Sequence, residues 1–494
     1  MIYNINHGLG WASSGVEYAQ SYRANILRKA GIPAKFIFTD MFPSENIEHL
    51  SKNIGFLDEE IIWLYTFFTD TKIAPVSFTL DDLEKTFACE HYEFTRSGKT
   101  AKYVFDNNTY YTVYMVDSVS DKVHRVEIVA GNFLIRKDYY TYCKIYSEYY
   151  APLDNKAFLY ARRWFNEDGT TAYEECIDNE NIVYKFPNKI ICSKEEFIGY
   201  MVRCLELTSE DVIIIDRSTG VAQEVFKNCN DARVGSVVHA DHFSEGASGS
   251  NILWNNYYEY IFAQYKRVSF YITATEAQNE LMREHFHTMF GEEPNVVTIP
   301  VGSLKELKVP SEPRKKHSLI TASRLATEKH CDWLIEAVVA AKSQVPDISL
   351  DIYGKGAEEG KLSELIGKYN CSDYVRLMGQ QKLDEIYKGY EAYFSASQSE
   401  GFGLTLMEAI GSGLPIIGFD VRYGNQTFID EGENGYKIAI TDDMDKKEKI
   451  ELLTKAVVKM FTEDDMDAFA NHSYDKAREF LTEEVEKKWT ALLK

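Results

Sequence analysis

The sequence has no surplus of positive charge, no long apolar run and no paired cysteines, and each lack removes a class of function. Its 494 residues carry 54 Lys and Arg against 76 Asp and Glu, a formal charge of −22. A protein that follows a phosphodiester backbone needs a net basic face, so nucleic acid is not expected as a partner. No window approaches the ~18 uninterrupted apolar residues of a membrane-spanning helix. The start, Met1-Ile2-Tyr3-Asn4-Ile5-Asn6, has no basic stretch leading into an apolar one, as a secretory leader would. The expectation is a cytoplasmic chain. The cysteines, Cys89, Cys143, Cys176, Cys192, Cys204, Cys229, Cys331 and Cys371, lie far apart with no Cys-x-x-Cys. That spacing argues against a disulfide framework and against a zinc cluster. Neither a short-period repeat nor a low-complexity tract is found.

What is present is an ordinary globular composition, 45% hydrophobic and 26% charged, with an unusual 14% of aromatics that includes 33 Tyr. The length suggests about three domains. The opening reads as strand, glycine-containing loop, helix and strand: Ile2 to Asn6, His7 to Gly15, Val16 to Lys29, Phe36 to Thr39. The helix rests on the 3.6-residue spacing of Val16, Ala19, Tyr22 and Ile26, and Gly31 with Pro33 stops it. From about Phe68 the pattern changes to aromatic runs such as Thr109 to Val116 and Ala157 to Trp164. Turn signals at Asn107-Asn108 and Asn166 to Gly169 separate them, which predicts an antiparallel β-meander. Alternating Tyr suits a half-wet sheet and equally a face that grips an extended peptide or another protein.

After Ser193 the α/β alternation returns, with a helix near Lys194 to Leu205 and strands at Val212 to Ile215, Arg233 to His239 and Ser269 to Thr273. Leaving a doubly wound sheet, building a meander and returning marks an inserted domain. Beyond the linker Pro310 to Lys316, strands at Ser318 to Ala322, Ser349 to Tyr353, Tyr374 to Leu377, Ala392 to Ser395 and Pro415 to Phe419 alternate with helices. They predict a second doubly wound domain. The expected division is an N-terminal lobe at 1–67 and 193–305, a β-meander insert at 68–192, a second Rossmann-like domain at 306–475 and a C-terminal helix at 476–494.

The strongest chemical signal is Ser399-Glu400-Gly401-Phe402-Gly403-Leu404-Thr405-Leu406-Met407-Glu408, which follows a strand and opens a helix. Gly401 and Gly403 let the backbone approach a ligand, and the amides of Leu404 and Thr405 form an anion site at a helix start. Glu400 lies in the loop and Glu408 about two turns into the helix, so the two carboxylates must do separate work. A second signal follows the first strand of the same domain: Arg324, then Lys329. Strand C-termini face the ligand crevice of such a sheet, and two cations with a helix N-terminus suit a diphosphate leaving group without a metal. Asp351 and Gly354-Lys355-Gly356 are expected in the loop after another strand, on the crevice wall. His239 and His242 follow an apolar strand, and a strand-end His bonded to backbone is the bland alternative for either. His-x-x-His and His285-Phe286-His287 could suggest a metal, but no carboxylate or Cys completes either set, so no metal or cofactor is expected.

Together these residues resemble family 4 of the GT-B glycosyltransferases, whose mark is the E-x7-E pattern, here Glu400 and Glu408. The resemblance implies a GT-B fold: α/β, two doubly wound Rossmann-like domains, here with an antiparallel β-meander inserted in the N-terminal lobe. It implies that Glu400 contacts the donor sugar, that Glu408 holds the nucleotide ribose, and that Arg324 and Lys329 neutralise the diphosphate. It further places a donor-sugar or catalytic His at His242, base contacts at Gln380 and Gln381, and a donor or acceptor loop ending at Gly15, Val16 and Glu17. Gly401, Phe402, Gly403, Leu404 and Thr405 complete the expected donor contacts.

With its aromatic insert and its Ser13-Ser14-Gly15-Val16-Glu17-Tyr18 opening, the chain is similar to the GtfA-type transferases of the accessory Sec pathway. That likeness implies retaining, metal-free transfer of GlcNAc from UDP-GlcNAc to Ser or Thr of a serine-rich-repeat adhesin, together with a GtfB-type partner in a hetero-oligomer. The inserted sheet would serve the partner and the acceptor. A partner or a surface patch could hold the chain peripherally on the cytoplasmic face of the membrane. Two rival readings stand beside this one: a wall-teichoic-acid glucosyltransferase, against which the acidic charge counts mildly, and a non-catalytic polypeptide-binding subunit, which should lack the phosphate and sugar residues found here.

Overall fold

The computed structural model describes residues 1–10, 15–43, 45–88, 91–105, 108–154, 156–244 and 252–494. Trp11, Ala12, Ser13 and Ser14 of the opening loop, Asn107 of an expected turn and Cys89 lie outside the described residues. The chain divides into two compact units, Met1–Val237 with Asn256–Phe270, and Val238–Asn255 with Tyr271–Lys494.

The first unit opens with β1 (Ile2–Asn6), the helix Gly15–Lys29, β2 (Ala34–Phe38) and β3 (Ile61–Trp63). The helix buries Ala19, Ala24, Ile26 and Leu27, and ends where Gly31 takes a φ of +65°, open to a residue without Cβ. Ten strands follow: β4 (Tyr92–Ser97), β5 (Thr100–Phe105), β6 (Thr109–Met115), β7 (Val123–Ala130), β8 (Phe133–Tyr140), β9 (Lys144–Leu153), β10 (Lys156–Phe165), β11 (Thr171–Asp178), β12 (Asn181–Phe186) and β13 (Lys189–Ile191). Each lies beside the next in one sheet, the order of a meander. The chain then returns through β14 (Val212–Ile215) and β15 (Arg233–Val238), so that β15, β14, β1, β2 and β3 run parallel and side by side in that order. Every residue of β14 is buried, as its unbroken apolar sequence requires of a strand covered on both faces.

The aromatic residues of the meander sort themselves by the pleat. Tyr139, Tyr146 and Trp164 stack in file across β8, β9 and β10, at 4.2 and 4.5 Å between ring centroids. Trp164 also meets Trp63 of β3 and Tyr65 in the turn after it, and Tyr184 stacks on Phe197 at 4.1 Å. These rings are core, whereas Phe94, Phe133 and Tyr160 are exposed. Buried among them, Arg162 donates to Glu148 at 3.0 Å and to Glu175 at 3.1 Å.

In the second unit β16 (Phe270–Thr273), whose Phe270 belongs to the first, pairs in parallel with β17 (Val296–Thr298). Six further strands, β18 (Ser318–Ala322), β19 (Ser349–Tyr353), β20 (Val375–Gly379), β21 (Ala392–Phe394), β22 (Ile416–Phe419) and β23 (Gly435–Ile438), form a parallel sheet in the order β20-β19-β18-β21-β22-β23. The order reverses between β18 and β21, and the C-terminal ends of strands at such a switch point open a ligand crevice. The helices Lys446–Thr462, Met466–Ala477 and Thr482–Leu493 close the chain.

The predicted strands at Ile2–Asn6, Val212–Ile215, Ser318–Ala322 and Ser349–Tyr353 form with those bounds, whereas β3, β17 and β23 were not anticipated. One placement is corrected. Asp351 lies inside β19 rather than in the loop after it, and it is buried. Arg376 grips it through two bonds of 2.7 and 2.6 Å, and the Tyr390 hydroxyl donates to it at 2.6 Å, so its carboxylate is occupied in holding the sheet together.

Candidate active site

The loops that leave β18 and β21 flank the switch point of the second sheet, and they carry the expected cations and the first carboxylate. The Lys329 ammonium pairs with the Glu400 carboxylate, and both side chains are largely enclosed, at 18% and 17% exposed. Glu400 is fixed through its backbone too: its N–H donates to the Arg422 carbonyl at 3.1 Å, and its carbonyl accepts from Tyr423 at 2.6 Å and Gly424 at 2.8 Å. Arg324 does not join this pair. Its side chain is 75% exposed and donates to Glu328, four residues on, at 2.7 Å.

Beside the β18 loop lies a cavity of about 410 Å³ lined by Ser323, Arg324, Lys355, Gln380, Gln381 and Thr405, among others. Close backbone packing shapes it. Gly354 has a φ of +136°, and a Cβ there would sit 1.9 Å from the Ser323 carbonyl oxygen. Gly356 is as tightly set, 2.1 Å from the Leu325 carbonyl oxygen by the same measure, and the Leu325 N–H donates to the Lys355 carbonyl at 2.9 Å. Two glycines are thus what allow the loops after β18 and β19 to lie against each other. Gln381 turns its side-chain amide to the Met378 carbonyl at 2.9 Å.

The glycine loop after β21 leads into the helix Leu404–Gly411 through Gly403, whose φ of +84° is left-handed. The first-turn amides of Leu404 and Thr405 have no acceptor within the helix by geometry, so they are available to an anion. The Thr405 hydroxyl and the Tyr393 hydroxyl lie 3.0 Å apart. Phe402 departs from expectation: its ring is buried against Phe428 and Phe480, so any part it takes in ligand binding is through backbone. Glu408 accepts a hydrogen bond from Tyr387 at 3.1 Å, and burial pushes its carboxyl above the ordinary value. No sequence signal pointed to Tyr387 and Tyr390, which support this site from behind, or to Tyr353, which lines the cavity.

His242 is fully buried among Phe243, Trp254 and His285. Its Nε2 lies 3.0 Å from Nδ1 of His285, while its own Nδ1 has no hydrogen-bond partner among the described residues. Burial, with His285 and the nearby Arg422 cation adding, pushes the imidazole down to about 3, so it is neutral near pH 7. The arrangement is a hydrogen-bonding pair of neutral rings. His239, directly after β15, is half-buried. Among the described residues no group of three metal-ligating side chains gathers.

In the first unit, Gly15 and Val16 begin the helix whose amides were expected to face a ligand. Gly15 is exposed, and among the described residues nothing lies within 4 Å of an added Cβ. Glu17 turns inward and is buried, accepting from Asn6 at 3.3 Å and Arg217 at 3.5 Å. Behind it Asp216 accepts from Gln20 at 2.7 Å and from both terminal nitrogens of Arg23, which pins the helix to the end of β14.

This geometry has known counterparts. The GtfA extended beta-sheet domain family matches residues 93–188, and the family of group 1 glycosyl transferases matches residues 304–460. The chain is 51% identical over 496 residues to the UDP-N-acetylglucosamine–peptide N-acetylglucosaminyltransferase GtfA subunit of Streptococcus gordonii, covering 100% of this chain and 98% of that one. A crystal structure of a GtfA/B complex matches at a TM-score of 0.97 and 50% identity, over 100% of this chain and 99% of that one. The pneumococcal O-GlcNAc transferase GtfA, in complex with UDP and GlcNAc, matches at a TM-score of 0.87 and 47% identity, over 100% and 98%. The expected GT-B fold with an inserted antiparallel sheet is borne out by this likeness.

Proposed function

The chain belongs to the family of GtfA subunits of UDP-N-acetylglucosamine–peptide N-acetylglucosaminyltransferases, and on that premise we propose that it transfers GlcNAc from UDP-GlcNAc to Ser or Thr hydroxyls of a polypeptide. It is a glycosyltransferase. The acceptor in this reading is a serine-rich-repeat adhesin, met in the cytoplasm while extended, and the chain works in a hetero-oligomer with a GtfB-type subunit, as its relative does in the GtfA/B complex. Peripheral attachment to the membrane would come from that assembly; no helix among the described residues is long and apolar enough to cross a membrane.

The observation that carries the reading is the Lys329–Glu400 pair beside a cavity lined by Arg324, Gln380, Gln381 and Thr405. In the proposed step the bond from the sugar C1 to the β-phosphate oxygen breaks and a bond from C1 to the acceptor oxygen forms on the same face. The acceptor proton passes to the departing β-phosphate. Lys329 and Arg324 hold the charge that develops on the diphosphate, with the Leu404 and Thr405 amides adding fixed dipoles. Arg324 reaches the diphosphate by leaving Glu328, and an exposed pair of that kind gives up little stability. Glu400 contacts the sugar, with Gly401, Gly403 and the Phe402 backbone close by. Glu408 holds the ribose, and Gln380 and Gln381 face the uracil. His242, neutral and enclosed, offers Nδ1 as a hydrogen-bonding contact for the donor sugar rather than an acid. The Gly15, Val16 and Glu17 backbone serves donor or acceptor at a helix start. Two cations and helix amides supply the charge stabilisation for which other transferases use a metal ion.

Release of UDP from UDP-GlcNAc tests this, with and without a Ser/Thr-rich peptide and a GtfB-type partner, in EDTA, for the wild type and Glu400→Gln. Peptide-stimulated release that survives EDTA and is lost in the variant is expected. No release under any of these conditions would overturn the assignment.

A further inference from the structure

Glu408 lies one turn beyond Thr405 on the helix Leu404–Gly411, so the two side chains share a face, and Thr405 lines the donor cavity. A glutamate has several rotatable bonds, and holding two neighbouring ribose hydroxyls requires one fixed orientation of its carboxylate, which costs conformational entropy unless something else fixes it. Tyr387 is placed to do so. It sits in the 3₁₀ turn Tyr387–Gly389, its ring is 1% exposed, and its hydroxyl donates to Glu408 Oε2 at 3.1 Å. That leaves Oε1 as the oxygen able to face a ligand. The same bond opposes burial and the neighbouring Asp384, both of which push the Glu408 carboxyl up, and so favours the ionised form that accepts hydroxyls.

The turn is itself anchored. Tyr390, directly after it, donates to Asp351 at 2.6 Å and lies 3.0 Å from the Tyr353 hydroxyl. Tyr353 lines the donor cavity, and Asp351 is gripped by Arg376. One short turn therefore ties the helix that carries Glu408 to the strand that forms another wall of the same cavity.

We propose that Tyr387 is a positioning residue that orients the Glu408 carboxylate toward the ribose hydroxyls of a uridine diphosphate donor. The proposal rests on the reading that Glu408 holds the ribose. It is tested by calorimetric titration of the full chain with UDP and with 2′,3′-dideoxy-UDP, for the wild type, Tyr387→Phe, Glu408→Gln and the double variant. The wild type is expected to prefer UDP by about tenfold or more, the worth of a charge-assisted hydrogen bond. Tyr387→Phe keeps the ring and its packing. It should lose most of that preference by binding UDP more weakly, with dideoxy-UDP affinity unchanged even though the lost hydrogen bond to a buried carboxylate lowers the thermal unfolding midpoint. The double variant should discriminate no less than Glu408→Gln alone, since both changes act through one carboxylate. Full wild-type preference in Tyr387→Phe, or equal weakening toward both nucleotides, would overturn the positioning role while leaving the ribose reading intact. No preference in the wild type would overturn the ribose reading itself and the proposal with it. Should Tyr387→Phe not fold, undiminished preference in Glu408→Gln would refute both.

Discussion

Replacing Lys329 by Met keeps the length of the side chain and removes its charge, and the consequence can be worked from its surroundings. The ammonium is 18% exposed and pairs with a Glu400 carboxylate that is 17% exposed, so the charge sits in a partly screened site rather than in free solvent. At an effective dielectric of about 20, a unit charge about 4 Å away is worth about 4 kcal/mol. If the diphosphate gains charge there as the sugar leaves, losing Lys329 should lower kcat by about a hundred- to a thousandfold. Lys329→Arg, which retains charge but alters its geometry, should retain more activity than Met. Glu400 bears on the interpretation, because Lys329→Met also leaves its carboxylate without this partner. The double variant Lys329→Met with Glu400→Gln removes that liability, and it should recover stability but not turnover. The assay is initial-rate UDP release at saturating donor, read beside thermal unfolding of each variant. Turnover within about fivefold of wild type in a folded Lys329→Met protein would refute the reasoning, since a charge enclosed this far cannot stabilise a leaving group by so little.

Three further outcomes follow from other parts of the chain. Arg162→Met should destabilise the antiparallel sheet by about 3–5 kcal/mol, because it strands two buried carboxylates, Glu148 and Glu175, whose side chains are 4% and 0% exposed; a denaturant-unfolding change below about 1 kcal/mol would contradict this. Gly354→Ala places a Cβ at 1.9 Å from the Ser323 carbonyl oxygen with a φ of +136°, so it should cost about 3 kcal/mol of stability and weaken UDP binding, and unchanged calorimetric affinity would argue against the cavity as the nucleotide site. His242 is held at about 3 by burial, with His285 and Arg422 contributing, whereas the unfolded chain takes up that proton near the ordinary 6.5. Its contribution is therefore complete above pH 6.5 and is lost as pH falls toward 3, at up to about 1.4 kcal/mol per pH unit. The unfolding midpoint of His242→Gln should accordingly fall less steeply between pH 6.5 and 4.5 than that of wild type, and parallel slopes would sink the idea.

The sequence pattern located the parallel strands well because burial on both faces leaves an unmistakable apolar run. Ile213, Ile214 and Ile215 of β14 and Leu319, Ile320 and Ala322 of β18 are all buried. It failed at β3, β17 and β23, three or four residues long, which unlike the equally short β14 are not buried along their whole length and so carry no unbroken apolar run. The tyrosine-rich meander was legible as strands from its turns, yet the pattern left open whether its aromatic rings face the core or a partner. The pleat decides that, and two residues of the same type a position apart end on opposite faces. Tyr146 and Tyr149 lie on one strand, yet Tyr146 is stacked between Tyr139 and Trp164 while Tyr149 lies under the Arg163 guanidinium at its surface.

At the site, the residues that meet a ligand were easier to read than those that hold them. Glu400 and Glu408 stand at a fixed spacing on one loop and helix, and Arg324 and Lys329 on another loop, because loops at strand ends can vary until they fit a substrate. What positions them comes from distant segments through single side-chain bonds, and such bonds leave no local period. Asp351 illustrates the cost of reading by neighbourhood. Three residues before Gly354 of Gly354-Lys355-Gly356, it reads as part of a ligand loop, yet Arg376 and Tyr390, 25 and 39 residues further on, claim its carboxylate. The same spacing hides Tyr387 from Glu408, 21 residues away, although the two are in hydrogen-bond contact. A buried carboxylate with a tyrosine donor is therefore the feature that three dimensions add: its chemistry depends on a partner that sequence order places elsewhere, and substitution of the partner reveals it only when the assay distinguishes which part of the ligand is lost.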